Sequence, residues 1–267
     1  MAVNNGNFQG SVQTSINKPF HILSLNCRGL HLTNRRLMIF NILCNLSFDI
    51  IFLQETHAPA YNNWKQEWLN ISGGEAYFPK AKTNSSAGVA ILFNKSFQFK
   101  EKCVIADPEG HFISMCLSHH NFHFQLINVY GPNTNRENFY ENLDDIIPFS
   151  GPLVIAGDFN FTEKPLDREG PGKFAARNQK GSLSFSKIKT KYSLTDTWRS
   201  INPYTQEFTY YEPPGKNSIQ VKSRLDRFYL SDHFTHDDNK AEILPLGISD
   251  HSLISCTFQP ANVTQTI

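Results

Sequence analysis

Short apolar runs that each close on a polar residue recur along this chain, and their spacing predicts its architecture. Residues 20–26 (FHILSLN) have the pattern of a buried strand, a turn follows at Gly29, and residues 32–46 carry Leu37, Phe40, Ile42, Leu43 and Leu46 at helical spacing. Residues 49–53 (DIIFL) again read as a buried strand, so the domain opens with a strand–helix–strand unit, an arrangement whose ligand groups collect where strands run into loops. Residues 87–93, 110–117 and 122–129 read as consecutive strands of a second sheet, separated by turns at 94–95, 107–108 and 119–121. A helix is expected over 135–147, a buried strand over 153–156, a helix over 180–191, and strands over 208–211, 224–230 and 252–258. Residues 1–18, dominated by Asn, Gln, Ser and Gly, read as a flexible tail. Residues 19–260 then form one domain, and 261–267 a short C-terminal tail.

Composition sharpens this reading. A chain of 267 residues that is 40% hydrophobic suits one domain, burying roughly 75% of its unfolded surface. An aromatic content of 13%, with 22 Phe, favours packed strands over a helical bundle, so the expectation is a strand-rich α/β protein. Net charge is only +1, which excludes a globally basic surface and leaves nucleic-acid binding to local patches. The five cysteines are widely spaced, odd in number and without a C-x-x-C pair, which argues against a disulfide framework or a zinc ribbon and fits a reducing compartment. No apolar run reaches the ~20 residues of a membrane span, and the start of the chain lacks the pattern of a signal peptide.

The chemistry lies in the polar residues that close the runs. Leu25-Asn26, Gln54-Glu55-Thr56, Asn128 to Asn133, Gly157-Asp158-Phe159-Asn160, Arg224-Leu225-Asp226 and Ser249-Asp250-His251 each follow or close a hydrophobic stretch, and six such ends can converge on one pocket. In this order and spacing, L-N, Q-E-T, N-x-Y-x-P-N, G-D-F-N, R-L-D and S-D-H resemble the superfamily of DNase I, apurinic/apyrimidinic endonucleases and retrotransposon endonucleases. The resemblance covers residues 20–258. It implies a four-layered α/β sandwich, two mixed β-sheets flanked by helices, with the site at one edge.

The resemblance also assigns roles. Phosphodiester hydrolysis needs a cation on the phosphate, a positioned base and relief of charge on the leaving oxygen. Glu55 and Asn26 offer hard oxygen ligands to Mg²⁺, or to Mn²⁺ in its place, and Asp250 binds metal directly or through water. Asp158 orients or deprotonates the attacking water, and Asn160 holds the water or a phosphate oxygen. His251 donates to the phosphate as an imidazolium whose ring Asp226 fixes, and Tyr130 donates its phenol near the scissile group. Asn133 and Thr209 are carried over as phosphate contacts, Thr209 having an equally good reading as an ordinary strand residue. Abasic-site repair enzymes carry a carboxylate two residues after the first Asn; here Arg28 stands there, meeting phosphate or solvent.

Three further segments, Pro165-Leu166-Asp167-Arg168, Leu194 to Arg199 with Asn202-Pro203, and Glu207 to Tyr211, look like LINE-type retrotransposon endonucleases in particular. In that subfamily the hairpin tip matching Lys216, Asn217 and Ser218 enters the minor groove, although P-P-G-K is also an ordinary turn. Lys173, Arg177, Lys180, Lys187, Lys189 and Lys191 form a run of cations without an acid, read as a phosphate-tracking surface or a solvated basic helix. The expected function is Mg²⁺-dependent nicking of double-stranded DNA, leaving a 3′-hydroxyl for a reverse transcriptase in the same polyprotein. The isolated domain is expected to be monomeric, to act in the nucleus and to touch no membrane. The competing readings are another phosphoesterase of the superfamily, such as an abasic-site repair nuclease or a lipid phosphatase, and an inactive DNA-binding module.

Overall fold

Alternation along Phe20–Asn26 (β1) sends Phe20 and Ile22 to one core and Leu23 and Leu25 to another, so this strand is buried on both faces. The computed structural model describes residues 18–59, 62–79, 87–147, 151–170, 176–212, 220–234 and 239–261, the side chains of 176–180 excepted. The expected tails, apart from Lys18 and Ala261, lie outside those residues. After β1 come Thr33–Cys44 (α1), Ile50–Gln54 (β2), Trp64–Ser72 (α2), Ala76–Tyr77 (β3), Val89–Phe93 (β4), Lys100–Ala106 (β5), Phe112–His119 (β6) and Phe122–Tyr130 (β7). Arg136–Asn142 (α3), Leu153–Asp158 (β8), Arg168–Glu169 (β9), Ala176–Lys191 (α4), Thr195–Asp196 (β10) and Thr197–Ile201 (α5) follow. Tyr210–Tyr211 (β11), Lys222–Ser223 (β12), Asp226–Leu230 (β13), Lys240–Leu244 (β14) and Leu253–Phe258 (β15) close the fold.

Two six-stranded mixed sheets result, in the orders β14-β15-β1-β2-β4-β3 and β10-β13-β8-β7-β6-β5, with a small sheet β11-β12-β9 beside them. Ile22, Phe52 and Ile91 of the first sheet meet Met115, Leu126, Val154 and Phe228 of the second in the central core. On the outer faces, Phe40 of α1 and Trp68 of α2 cover Leu23, Ile51 and Leu92, while Tyr140 of α3 and Phe185 and Ile188 of α4 cover Ile127, Ile155 and Tyr229. Helix, sheet, sheet, helix is the four-layered sandwich expected. No helix among the described residues is long and apolar enough to cross a membrane.

Several elements differ from expectation for physical reasons. Residues 87–93 belong to the first sheet, where β4 pairs antiparallel with β2 from Gln54↔Val89 to Ile50↔Phe93. All five residues of β4 are buried, so periodicity carries no information about sheet membership. Strands β5 and β14 are edge strands bearing Lys100, Glu101, Lys240 and Glu242 on largely exposed positions, which hides them from a hydrophobicity reading. The helix expected over 135–147 tightens into a 3₁₀ turn at Leu143–Ile146. The inner face of α1 contains Ile39 and Arg36 as well as Phe40 and Leu43, whereas Leu37 and Ile42 are only half-buried. Arg36 is tolerated there because its guanidinium donates twice to Glu67 and lies over the Trp64 ring.

Two of the three segments that look like retrotransposon endonucleases, 165–168 and 194–199, meet Arg224 in a buried ionic cluster. Asp167 Oδ1 accepts from Arg199 Nη2 at 2.6 Å and Arg224 Nε at 2.8 Å, and Arg224 Nη2 donates to Asp196 Oδ2 at 2.7 Å. Burial alone raises an acid's pKa, but Arg227 and Arg224 outweigh it and hold Asp167 well below the carboxylate range. Removing one partner from such a cluster leaves buried charge uncompensated. Asp167→Asn should therefore lower unfolding stability by about 3–5 kcal/mol, read as a lower urea midpoint at unchanged slope; a change under about 1 kcal/mol would contradict this role.

Candidate active site

Strand register brings the polar ends level with one another. Asn26 pairs with Gln54 across β1 and β2, and Asp158 lies between Tyr130 of β7 and Asp226 of β13. Gln54 donates to Ser24 at 3.0 Å and to Asn128 at 2.7 Å, and Asn128 donates to the carbonyls of Leu53 and Ala90. These bonds join the two sheets beneath the site and pair amides that would be costly to bury alone.

The G-D-F-N turn begins at Gly157, where φ is +134° and a Cβ would lie 2.1 Å from the Val129 carbonyl oxygen. Only glycine lets the strand end approach β7 this closely. Asp158 Oδ1 then accepts from the Asn160 amide at 2.9 Å, while Oδ2 accepts from Asn26 Nδ2 at 3.0 Å. Asn160 Nδ2 donates to the Gly131 carbonyl at 2.6 Å. The second oxygen on the Asn26 amide belongs to Glu55, whose Oε1 accepts from Nδ2 at 3.0 Å. Glu55, His57, Arg28 and Asn160 all adopt positive φ around this one cleft. Non-glycine residues in that region store strain that surrounding contacts must hold. Here the Q-E-T loop is tied down by the Thr56 amide to Gly88 and the His57 amide to Ala87.

His251 arrives on the loop before β15. Its Nδ1 lies 2.8 Å from Asp226 Oδ2 and its Nε2 3.8 Å from Asp158 Oδ2, in a setting where His251 is only 7% exposed. Burial opposes charge on the ring, yet the two carboxylates outweigh it and push its pKa up to about 10. Burial, followed by repulsion from Asp226, pushes Asp158 up to about 6 against the pull of His251. The ligand atoms of Asp158, Asp226 and His251 lie within 4.8 Å of one another. A ring charged at neutral pH has no lone pair for a metal, however, so this cluster is better suited to proton chemistry. Tyr130 is buried next to Glu55 and Asn160, and its phenol is held well above its ordinary pKa by burial and by the charges of Glu55 and Asp158.

Glu55 and Asn26 are the groups that suit a hard divalent cation. Glu55 is an oxygen donor at the rim, its side chain 22% exposed, and Asn26 is buried beneath it with Oδ1 accepting the Arg28 amide at 3.1 Å. Asp250 is also at the rim, but its Oδ2 is paired with Arg28 Nη1 at 2.9 Å. Arg28 is therefore paired across the cleft mouth as well as exposed, with 56% of its side chain accessible.

The expected DNA contacts fare differently. Asn133 sits on an exposed turn with no bond to the buried cluster. Thr209 is fully buried, and its Oγ1 accepts from the amides of Leu225 and Asp226 at 2.9 and 3.0 Å. Its hydroxyl thus fixes the start of β13, the structural role of an ordinary strand residue. Lys216, Asn217 and Ser218 lie outside the described residues, as do Lys173 and the side chains of Arg177 and Lys180. The unopposed basic run needs correction: Lys187, Lys189 and Lys191 pair with Glu141, Glu163 and Asp144. Acids brought over from other elements are invisible when charge is counted along one helix.

Three positioning residues carried weak or no sequence signal. Ser249 Oγ donates to the Asn26 carbonyl at 2.8 Å and accepts from the His251 amide, fastening S-D-H to L-N. Arg35 donates to the carbonyls of Cys27, Gly29 and Ile248, holding the same two loops together. The Tyr210 ring packs against His251 with centroids 4.9 Å apart. Ser249 is found through its motif and Tyr210 through its neighbour Thr209, whereas nothing in the sequence marks Arg35.

Comparisons with known proteins agree with this geometry. The model of a family described as the endonuclease/exonuclease/phosphatase family matches residues 23–251. The "Transposon TX1 uncharacterized 149 kDa protein" of Xenopus laevis is 32% identical over 241 residues, covering 88% of this chain and 18% of that protein. "Recombination repair protein 1" of Drosophila melanogaster is 26% identical over 231 residues, covering 79% of this chain and 33% of that one. The chain therefore spans well under half of either relative. Among solved structures, a 3′ phosphatase from Neisseria bound to a product DNA hairpin has a TM-score of 0.70 at 21% identity, over 90% of this chain and 99% of that one. At that identity the likeness establishes the fold.

The raised pKa of His251 predicts a pH signature. A folded value of about 10 exceeds the ordinary ~6.5, so the charged His251–Asp226 pair stabilises the fold fully below pH ~6.5 and loses that contribution as pH rises through about 10. In the metal-free protein, ring-nitrogen NMR shifts should show His251 charged at pH 8 and neutral at pH 8 in Asp226→Asn. A neutral wild-type ring at pH 7 would contradict the assignment.

Proposed function

The chain belongs to the endonuclease/exonuclease/phosphatase family, and on that footing we propose that it is a Mg²⁺-dependent endonuclease that nicks one strand of duplex DNA. The observation that carries this reading is the buried His251 between Asp226 and Asp158, with buried Asn26 bridging Asp158 to Glu55 at the cleft rim. A charged imidazole and a carboxylate in one cluster, both pushed up from their ordinary values but to well-separated ones, form an acid and base pair suited to phosphodiester hydrolysis.

Asp158, pushed up to about 6, is ionised at neutral pH while remaining basic enough to accept a proton from an attacking water. Asn160, fixed by the Gly131 carbonyl, holds that water or a phosphate oxygen. His251 donates to the phosphate oxygen as an imidazolium, and Asp226 orients its ring. Tyr130 donates its phenol toward charge that grows in the transition state. Glu55 and Asn26 would hold the divalent cation, which when bound supplies positive charge to the phosphate and the leaving oxygen. Their hard oxygen donors favour Mg²⁺, with Mn²⁺ able to replace it.

The likeness to a transposon protein of Xenopus laevis supports a role in retrotransposition. The nick would leave a 3′-hydroxyl that a reverse transcriptase in the same polyprotein extends, in the nucleus. Arg28, standing where repair nucleases have a carboxylate, favours this reading over abasic-site repair.

Conversion of supercoiled plasmid to open circle tests the proposal. Mg²⁺ should support nicking and EDTA abolish it, while His251→Ala and Asp158→Asn should each slow it by about 10² to 10⁴-fold. A well-folded wild type that leaves plasmid intact in Mg²⁺ would refute the assignment.

A further inference from the structure

We propose that Arg28 serves as a built-in cation that occupies Asp250, so that this active site takes one divalent ion and not two. The proposal rests on the endonuclease reading above and concerns how that site is charged.

The argument starts from what each carboxylate already does. Asp226 is bound to the His251 ring, and Asp158, whose oxygens accept the Asn160 and Asn26 amides, lies 3.8 Å from Nε2 of that same charged ring. Asp250 Oδ2 is held by Arg28 Nη1 at 2.9 Å, and its Oδ1 lies 3.3 Å from Ser249 Oγ. Among the described carboxylates of the cleft, Glu55 sits at the rim with Oε1 on a neutral amide and Oε2 3.8 Å from His57 Nε2. A divalent ion needs oxygen donors that are not already matched to a cation, and among the described residues Glu55, with Asn26 buried beneath it, is the set that remains.

The position of Arg28 is built. Its backbone is held at φ +47° by its own amide donating to Asn26 Oδ1 at 3.1 Å, and by Arg35 gripping the carbonyls of Cys27 and Gly29 on either side. Strain of this kind persists only where neighbours over-determine it. The result aims a permanently charged guanidinium across the cleft mouth at the S-D-H loop, with 56% of the Arg28 side chain still open to an incoming phosphate. One residue thereby neutralises Asp250 and leaves further donors free for the substrate's charge, the tasks a second metal ion would otherwise perform.

Mn²⁺ binding, counted by electron paramagnetic resonance on metal-stripped full-length protein without DNA, tests this without relying on turnover. One Mn²⁺ per chain is expected in the wild type, in Asp250→Asn and in Arg28→Lys. None is expected to bind tightly in Glu55→Gln. Arg28→Asp, which places a carboxylate opposite Asp250, should bind two. Two ions in the wild type would overturn the proposal, as would loss of the ion in Asp250→Asn or a count of one in a folded Arg28→Asp. Plasmid nicking measured on the same samples separates the two readings: these counts without wild-type nicking would sink the endonuclease assignment while leaving the single-ion site standing.

Discussion

Two carboxylates and an imidazole buried at the same point are the constraint around which this fold is arranged. Asp158 and Asp226 face each other across β8 and β13, both almost fully buried, and each would be unstable there as a lone anion. His251 resolves the conflict by carrying a proton between them, and the rest of the site holds that arrangement in place. Asn26 donates to Asp158, Thr209 Oγ1 accepts the Asp226 amide, and Ser249 fixes the His251 backbone against β1. Loss of any of these contacts would alter the charge state of the cluster before it altered the fold.

The cluster draws its precision from both sheets. Gln54 and Asn128 fasten them below the site, while the Asp167–Arg199–Arg224–Asp196 assembly anchors the residues that lead into Asp226. Catalytic side chains held by strands and a buried ionic network are fixed more tightly than side chains on free loops. The strained Glu55, His57 and Arg28 sit on the opposite wall, where backbone amides and Arg35 restrain them. The cleft therefore has a buried floor of paired titratable groups and a strained rim that carries Glu55, Arg28 and Asp250.

Much of this was legible in the sequence because polar residues ending apolar strands have few bland explanations when six recur in one order. Asn26, Glu55, Tyr130, Asp158, Asn160, Asp226, Asp250 and His251 gather around one cleft, as the family resemblance implied. What was hidden depended on contacts between distant segments. The Arg28–Asp250 pair spans the two ends of the domain, and no pattern near Arg28 announces it. Arg35 acts through carbonyls that sequence does not display, and the lysines of α4 find acids on neighbouring elements. Residues 87–93 read as part of the second sheet but pair with β2 in the first, because a strand buried on both faces has no periodicity to mark its partner.

The central claim is that this cluster directs water onto a DNA phosphodiester with the 3′ oxygen as leaving group. Nicking in ¹⁸O-labelled water, followed by mass analysis of the termini, tests it most directly. The account predicts one ¹⁸O atom in a 5′-phosphate and an unlabelled 3′-hydroxyl that a polymerase extends without further treatment. A 3′-phosphate, or label on the 3′ side of the nick, would contradict it.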